Sequence, residues 1–167
     1  MPRINLPLLT LLLCISSASL LAQASPSSSI TVEGEVTKKL KLTLEDIKQY
    51  PSMEVKAKDR QGDEHTYKGT PLAMVLDSAG VTLGKNLRGE NLVKYVLVTA
   101  VDNYQVVYSL AEIDTEFTTN VILLATHVDG NLLPKGEGPF RLVNLADKRP
   151  ARWIREIRSI RVLFSKE

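Results

Sequence analysis

At 167 residues the chain has room for one domain with a sizeable core. Its 21 Lys and Arg nearly balance 19 Asp and Glu, and only 5% of residues are aromatic, which argues against a nucleic-acid-binding protein. The single cysteine, Cys14, lies in an apolar N-terminal run, so the rest of the chain can hold no disulfide, thiolate metal site or cysteine nucleophile.

Taken in order, Arg3, the apolar stretch Leu6 to Leu21 and the triplet Ala22-Gln23-Ala24 read as a secretory signal peptide over residues 1–24. Pro7 and a serine cluster make that stretch a poor membrane span, and an uncleaved anchor is the other reading. Leu13 before Cys14 does not match a lipoprotein site. Cleavage after Ala24 predicts a periplasmic or secreted protein with no membrane insertion. Residues 25–29, with Pro26 and serines, read as a flexible tether, and the domain is expected over residues 30–164.

Ile30 to Val36 alternates as a first strand, with Gly34 at a bend. Leu40 and Leu42 are extended, and Thr43 with Asp46 predicts a capped helix from Leu44 to Tyr50, ended by Pro51. Met53, Val55 and Ala57 alternate with charged residues as a half-exposed strand, and Asp59 to Glu64 is a polar turn. His65 to Tyr67 is a short strand leading into a helix. That helix has Thr70 as its expected cap, Pro71 at its first position, and Leu72, Val75, Leu76 and Ala79 on one face. Gly80 is its left-handed stop, and Gly69 allows a sharp turn or a close approach.

Val81 to Glu90 is a loop, and Val93 to Val101 is the most strand-like run, expected to be central. Asp102-Asn103 turns it back into Tyr104 to Tyr108, and Ser109 with Glu112 forms a capping box. Val121 to Val128 and Asn131 to Leu133 are strands around an Asp129-Gly130 turn. Pro134 to Pro139 is an irregular loop, and Phe140 to Leu145 is a strand. Ala146 to Ala151 is a basic turn, Trp153 to Ile157 is ambiguous, and Ser159 to Phe164 closes the domain as a strand. Strands outnumber helices without strict alternation, which predicts a single mixed α+β domain.

Catalytic signals are sparse. His65 and His127 lack partners at metal-ligand spacing, although acids flank both, so ordinary polar positions outweigh a metal site. No serine sits in a nucleophile elbow, and Gly136-Glu137-Gly138 lacks the strand–turn–helix context of a dinucleotide site. Arg149, Arg152, Arg155, Arg158 and Arg161 recur every third residue. They are either solvated charge around the closing strand or part of an anion pocket in which Lys148 and Arg149 sit beside Trp153.

Tyr67-Lys68-Gly69-Thr70-Pro71-Leu72, followed by Val75-Leu76 and Ala79-Gly80, resembles the aromatic-x-Gly-x-Pro-Leu segment of the sulfite-oxidase-type molybdopterin-binding domain. In the same order, Asp102-Asn103-Tyr104 is similar to its Asp-Gly-Tyr turn. Leu123-Leu124-Ala125 with Asp129-Gly130 and Leu133-Pro134 is similar to its Leu-Ala to Pro-Leu-Pro run. Gly138-Pro139-Phe140-Arg141-Leu142-Val143 and Trp153-Ile154 with Ile157 resemble its last two segments. The resemblance implies a strand-rich α+β domain burying a molybdenum–pterin cofactor and acting on small oxo-substrates such as sulfite or sulfoxides.

It also implies a cysteine ligand in the loop ahead of Tyr67. That loop falls around Val55 to Asp59, which offers Lys56, Ala57, Lys58 and Asp59 and no soft donor. Cofactor-loaded members are exported folded through a twin-arginine signal, whereas this leader has only Arg3. The expectation is therefore a cofactor-free binding module for a small anion or for a periplasmic or membrane protein partner. Its candidate residues are Arg141, Lys148, Arg149 and Trp153, with Tyr67, Asp102 and Tyr104 at the pocket edge. The alternatives are a molybdopterin-dependent oxidoreductase and an accessory subunit of an exported redox complex.

Overall fold

The structure is a computed structural model that describes residues 29–165. The expected leader lies outside those residues, as does the tether except for Ser29, which is already the first residue of a strand. No helix among the described residues is long and apolar enough to cross a membrane.

Among the described residues ten strands form two five-stranded sheets, accompanied by two short α-helices, in agreement with the strand-rich α+β expectation. The first sheet holds β1 (Ser29–Gly34), β2 (Leu40–Thr43), β5 (Lys94–Ala100), β6 (Gln105–Ser109) and β10 (Ile157–Phe164), in the order β2-β1-β10-β5-β6. Only β1 and β10 run parallel within it. β5 is thus an interior strand, while β10 takes the central place. The second sheet runs from β3 (Met53–Lys58) through β4 (Glu64–Pro71) to β7 (Ile122–Val128). There β8 (Asn131–Leu132) and β9 (Arg141–Asn144) share the far edge of β7 end to end.

Between the sheets lies the main core. The first sheet supplies Ile30, Val32, Val96, Val98, Ile160 and Val162, and the second supplies Ile122, Leu124 and Leu142. Helix α2 (Leu72–Ser78) adds Leu72, Val75 and Leu76, with Ala79 just beyond its end. Each such large side chain, when fully buried, contributes roughly 1.5–3 kcal/mol. Gly80, at φ 70°, stops the helix as expected. Its carbonyl accepts from Thr37 Oγ1 at 3.1 Å, which ties the helix end to the β1–β2 connection.

The other end of α2 differs from expectation. Its cap is Pro71, with no side-chain hydrogen bond, and Thr70 is a buried residue of β4. The ladder with β7 continues through Pro71, opposite Leu123, so the backbone of Thr70 is committed to the sheet. By contrast, Thr43 and Asp46 form the predicted capping box on α1, which ends earlier, at Ile47. The Ser109–Glu112 box also forms, on a 3₁₀ turn spanning Leu110–Glu112. Between Val81 and Lys94, two further 3₁₀ turns occupy the expected loop. The ambiguous stretch after Arg152 is irregular, and β10 begins at Ile157, two residues earlier than predicted.

Gly69 provides the close approach. A Cβ there would lie 2.1 Å from the Leu124 carbonyl oxygen, on the backbone of β7, where nothing flexible can yield. Gly69→Ala is expected to lower the unfolding free energy in urea titrations by about 3 kcal/mol. Gly62→Ala, at a left-handed turn with open space around it, is expected to cost only about 1–2 kcal/mol.

Candidate functional site

The alternation of β3 and β4 gives the second sheet a second buried face. Val55 stands opposite Tyr67 and Ala57 opposite His65, and Leu123, Ala125 and Val143 continue that face across β7 and β9. Trp153 closes it. It follows the 3₁₀ turn Pro150–Arg152, is only 5% exposed, and donates its indole N–H to the Asn144 carbonyl at 2.9 Å. Tyr67 meets Trp153 edge to face, with ring centroids 6.1 Å apart.

Arg141 projects from β9 into this apolar cluster and is 7% exposed. Its guanidinium lies 5.2 Å from the Tyr67 ring centre and 5.9 Å from that of Trp153. Nη1 donates to Glu137 Oε2 at 2.5 Å, and the other oxygen of Glu137 faces Arg155 at 3.6 Å. Two guanidiniums thus share one carboxylate, and the group keeps an excess positive charge. Nε of Arg141 is buried and has no hydrogen-bond partner. An unmatched buried donor of a charged group is costly, and an acceptor brought to this N–H would relieve that cost.

Glu156 holds the loop that carries Glu137. Its backbone is left-handed, at φ 46°; its N–H donates to the Glu137 carbonyl, and its own carbonyl accepts from Val101 N–H.

At the other end of Tyr67 stands His65, its ring 6.2 Å away. Its Nδ1 is 2.7 Å from Asp129 Oδ2, and its Nε2 is 3.6 Å from Asp59. Asp129 also accepts from Thr66 N–H at 2.8 Å. The acid that follows His127 in sequence therefore serves His65 instead. The Asp129 hydrogen bond holds the imidazolium of His65 above the usual histidine range, and the same bond holds Asp129 below the usual carboxylate range.

The other predicted site residues form a second group. Asp102 and Tyr104 sit on the β5–β6 turn, where the Asp102 carboxylate accepts from Tyr104 N–H and the Tyr104 hydroxyl donates to the Ala151 carbonyl at 3.0 Å. Lys148 and Arg149 are exposed on the turn before Trp153, and neither side chain has an ion-pair partner among the described residues. The segment from Lys148 to Trp153 connects the two groups.

Arg152, read from sequence as one of a charge series, is the centre of an ion network. It binds Asp147 at 2.5 Å and Glu112 at 3.0 Å and lies 4.5 Å over the Tyr108 ring. Burial pushes the Tyr108 phenol well above its ordinary range, and its hydroxyl donates to the Arg152 carbonyl at 2.7 Å. The rest of the arginine series is dispersed, with Arg158 on Asn103 and Arg161 facing Glu33.

The segment where a metal-ligating cysteine was sought is not a loop. Val55 to Lys58 belong to β3, paired with β4 residue by residue, and Asp59 caps the following turn by accepting from Gln61, Gly62 and Asp63. Among the described residues no three His, Cys, Asp or Glu side chains are grouped to hold a metal ion.

The His65–Asp129 pair has a defined pH window. A raised histidine contributes below its unfolded value, near 6.5, and loses that contribution as pH rises through its folded value. A depressed aspartate contributes above its unfolded value, near 3.9, and loses it as pH falls. The wild-type advantage in melting temperature over His65→Gln is expected to be largest near about pH 5.5 and to shrink steadily above about pH 6.5. Thermal unfolding followed by circular dichroism across that range checks it.

Residues 21–166 match the oxidoreductase molybdopterin binding domain. Among solved structures, the sulfane dehydrogenase SoxCD from Paracoccus pantotrophus shares the fold, with a TM-score of 0.64 at 18% identity. The match covers 82% of this chain and 38% of that one, so the chain spans well under half of its neighbour's length. No curated protein matches the sequence. The family match takes in nearly the whole chain, which therefore belongs to the oxidoreductase molybdopterin binding domain family.

Proposed function

We propose that the chain is an exported member of this family, periplasmic or secreted, that binds a small anion at the Arg141 cluster and does not hold molybdenum. The observation that carries the reading is the buried Nε of Arg141, a charged donor without an acceptor, set between two aromatic rings. An oxyanion there would complete the hydrogen bonding of the guanidinium with planar geometry that lysine cannot match. Lys148 and Arg149, exposed on the turn before Trp153, would raise the local positive potential.

The donor set does not fit molybdenum. Beyond Cys14 the chain has no thiolate to offer, and the stretch where the family's ligand is expected, Val55 to Asp59, presents Lys56, Ala57, Lys58 and Asp59. A rival reading rests on family membership: a molybdopterin-dependent oxidoreductase for a small oxo-substrate, or an accessory subunit of an exported redox complex. A periplasmic or membrane protein bound to the same surface is the remaining alternative to a small anion.

Trp153 is the chain's only tryptophan, so its fluorescence reports directly on the cluster. Titration with sulfite, sulfate and acetate is expected to give a saturable change for at least one of them. Arg141→Lys is expected to weaken that binding about tenfold, and Arg149→Ala less. No saturable response to any of the three, or an unchanged affinity in both variants, overturns the anion site. Stoichiometric molybdenum, or a fluorescent oxidised pterin released on denaturing protein purified from its native host, overturns the metal-free reading.

A further inference from the structure

On the opposite side of β4 from Tyr67 lies a cleft of about 630 Å³, floored by Ile47 and Gly69 and walled by β3, β4 and β7. That volume is within the range of small-molecule sites. The cleft shares no residue with the Arg141 cluster, and Ile47 joins it to the main core. Its polar groups are arranged by a defect in the sheet. Lys68 stands opposite His127, but the next pair is Gly69 with Ala125, so Thr126 is an extra residue on β7. Such a bulge turns two consecutive side chains toward one side of the strand, and bulges recur where a side chain must be re-aimed. Here Thr126 and His127 both line the cleft, and Thr126 Oγ1 lies 2.8 Å from His127 Nδ1.

Two donors in the cleft lack a close acceptor. Asp129 is engaged by His65 and by Thr66 N–H, and the Lys68 ammonium has Glu54 only at 3.9 Å. His127 Nε2 has no partner among the described residues. When the Thr126 hydroxyl donates to Nδ1, Nε2 carries the proton and becomes a donor beside the Lys68 ammonium.

We propose that this cleft is a second binding site and that it takes a small organic carboxylate. The Lys68 ammonium and His127 Nε2–H, on adjacent strands, each hold one carboxylate oxygen, and Ile47 packs against the carbon skeleton. With Lys48 held by Glu45 and Lys68 partly offset by Glu54, the cleft matches a single negative charge better than a dianion.

The chain has only two histidines, so long-range proton–nitrogen spectra resolve both rings in the purified protein. Titration with propionate is expected to shift the His127 ring saturably, to leave the His65 ring in place, and to leave Trp153 fluorescence unchanged. Inorganic phosphate is expected to bind about tenfold more weakly. Lys68→Gln, at a half-exposed position, and His127→Gln are each expected to weaken propionate about tenfold, whereas Arg141→Lys leaves it unaltered. No saturable shift of His127, equal movement of both histidines, or tighter binding of phosphate than of propionate overturns the carboxylate site. A loss of propionate binding in Arg141→Lys assigns the response to the other cluster and also overturns it.

Discussion

Strand β7 must be buried on both sides, and much of the domain follows from that. Ile122 to Thr126 are all buried, with Ile122 and Leu124 in the core between the sheets and Leu123 and Ala125 in the cluster on the other face. A strand covered on both faces is apolar without alternation, and it needs a layer on each side. The first sheet and α2 provide one layer. The other is assembled from Tyr67, Val143 and Trp153, which come from three distant parts of the chain. Gly69 makes the arrangement possible, because β4 can press against the β7 backbone only where no side chain intervenes.

That second layer is built around a charge. Arg141 is buried and its partner Glu137 is half-buried, and for such a pair desolvation of the guanidinium offsets much of the attraction. Aromatic faces on Tyr67 and Trp153 and the second guanidinium of Arg155 moderate the cost. What remains is specificity of position: a charge held rigidly at the base of an apolar cluster, with one donor direction unused.

Much of the fold was legible because local signals agreed with one another. Both capping boxes, the glycine stop at Gly80 and the turns at Asn103 and Asp129-Gly130 act within a few residues, so sequence spacing encodes them. Thr70 misled because a good cap residue also suits a strand, and the ladder partner that decides between the roles lies on β7. The bulge at Thr126 could not be read at all, since a two-against-one pairing exists only once the partner's register is known. The same holds for the site. Arg141 and Trp153 were identifiable from the ordered family segments, whereas the contacts of Asp129 with His65 and of Arg152 with Asp147 and Glu112 are settled by packing.

Glu156 makes the two sheets mechanically continuous. A single left-handed residue passes one hydrogen bond to the loop that presents Glu137 and receives another from the end of β5. The end of β5 and the loop that presents the Arg141 carboxylate are thus joined through one residue's backbone. A substitution that strains the left-handed backbone of Glu156 would therefore be felt at both ends, in the first sheet and at the Glu137 loop.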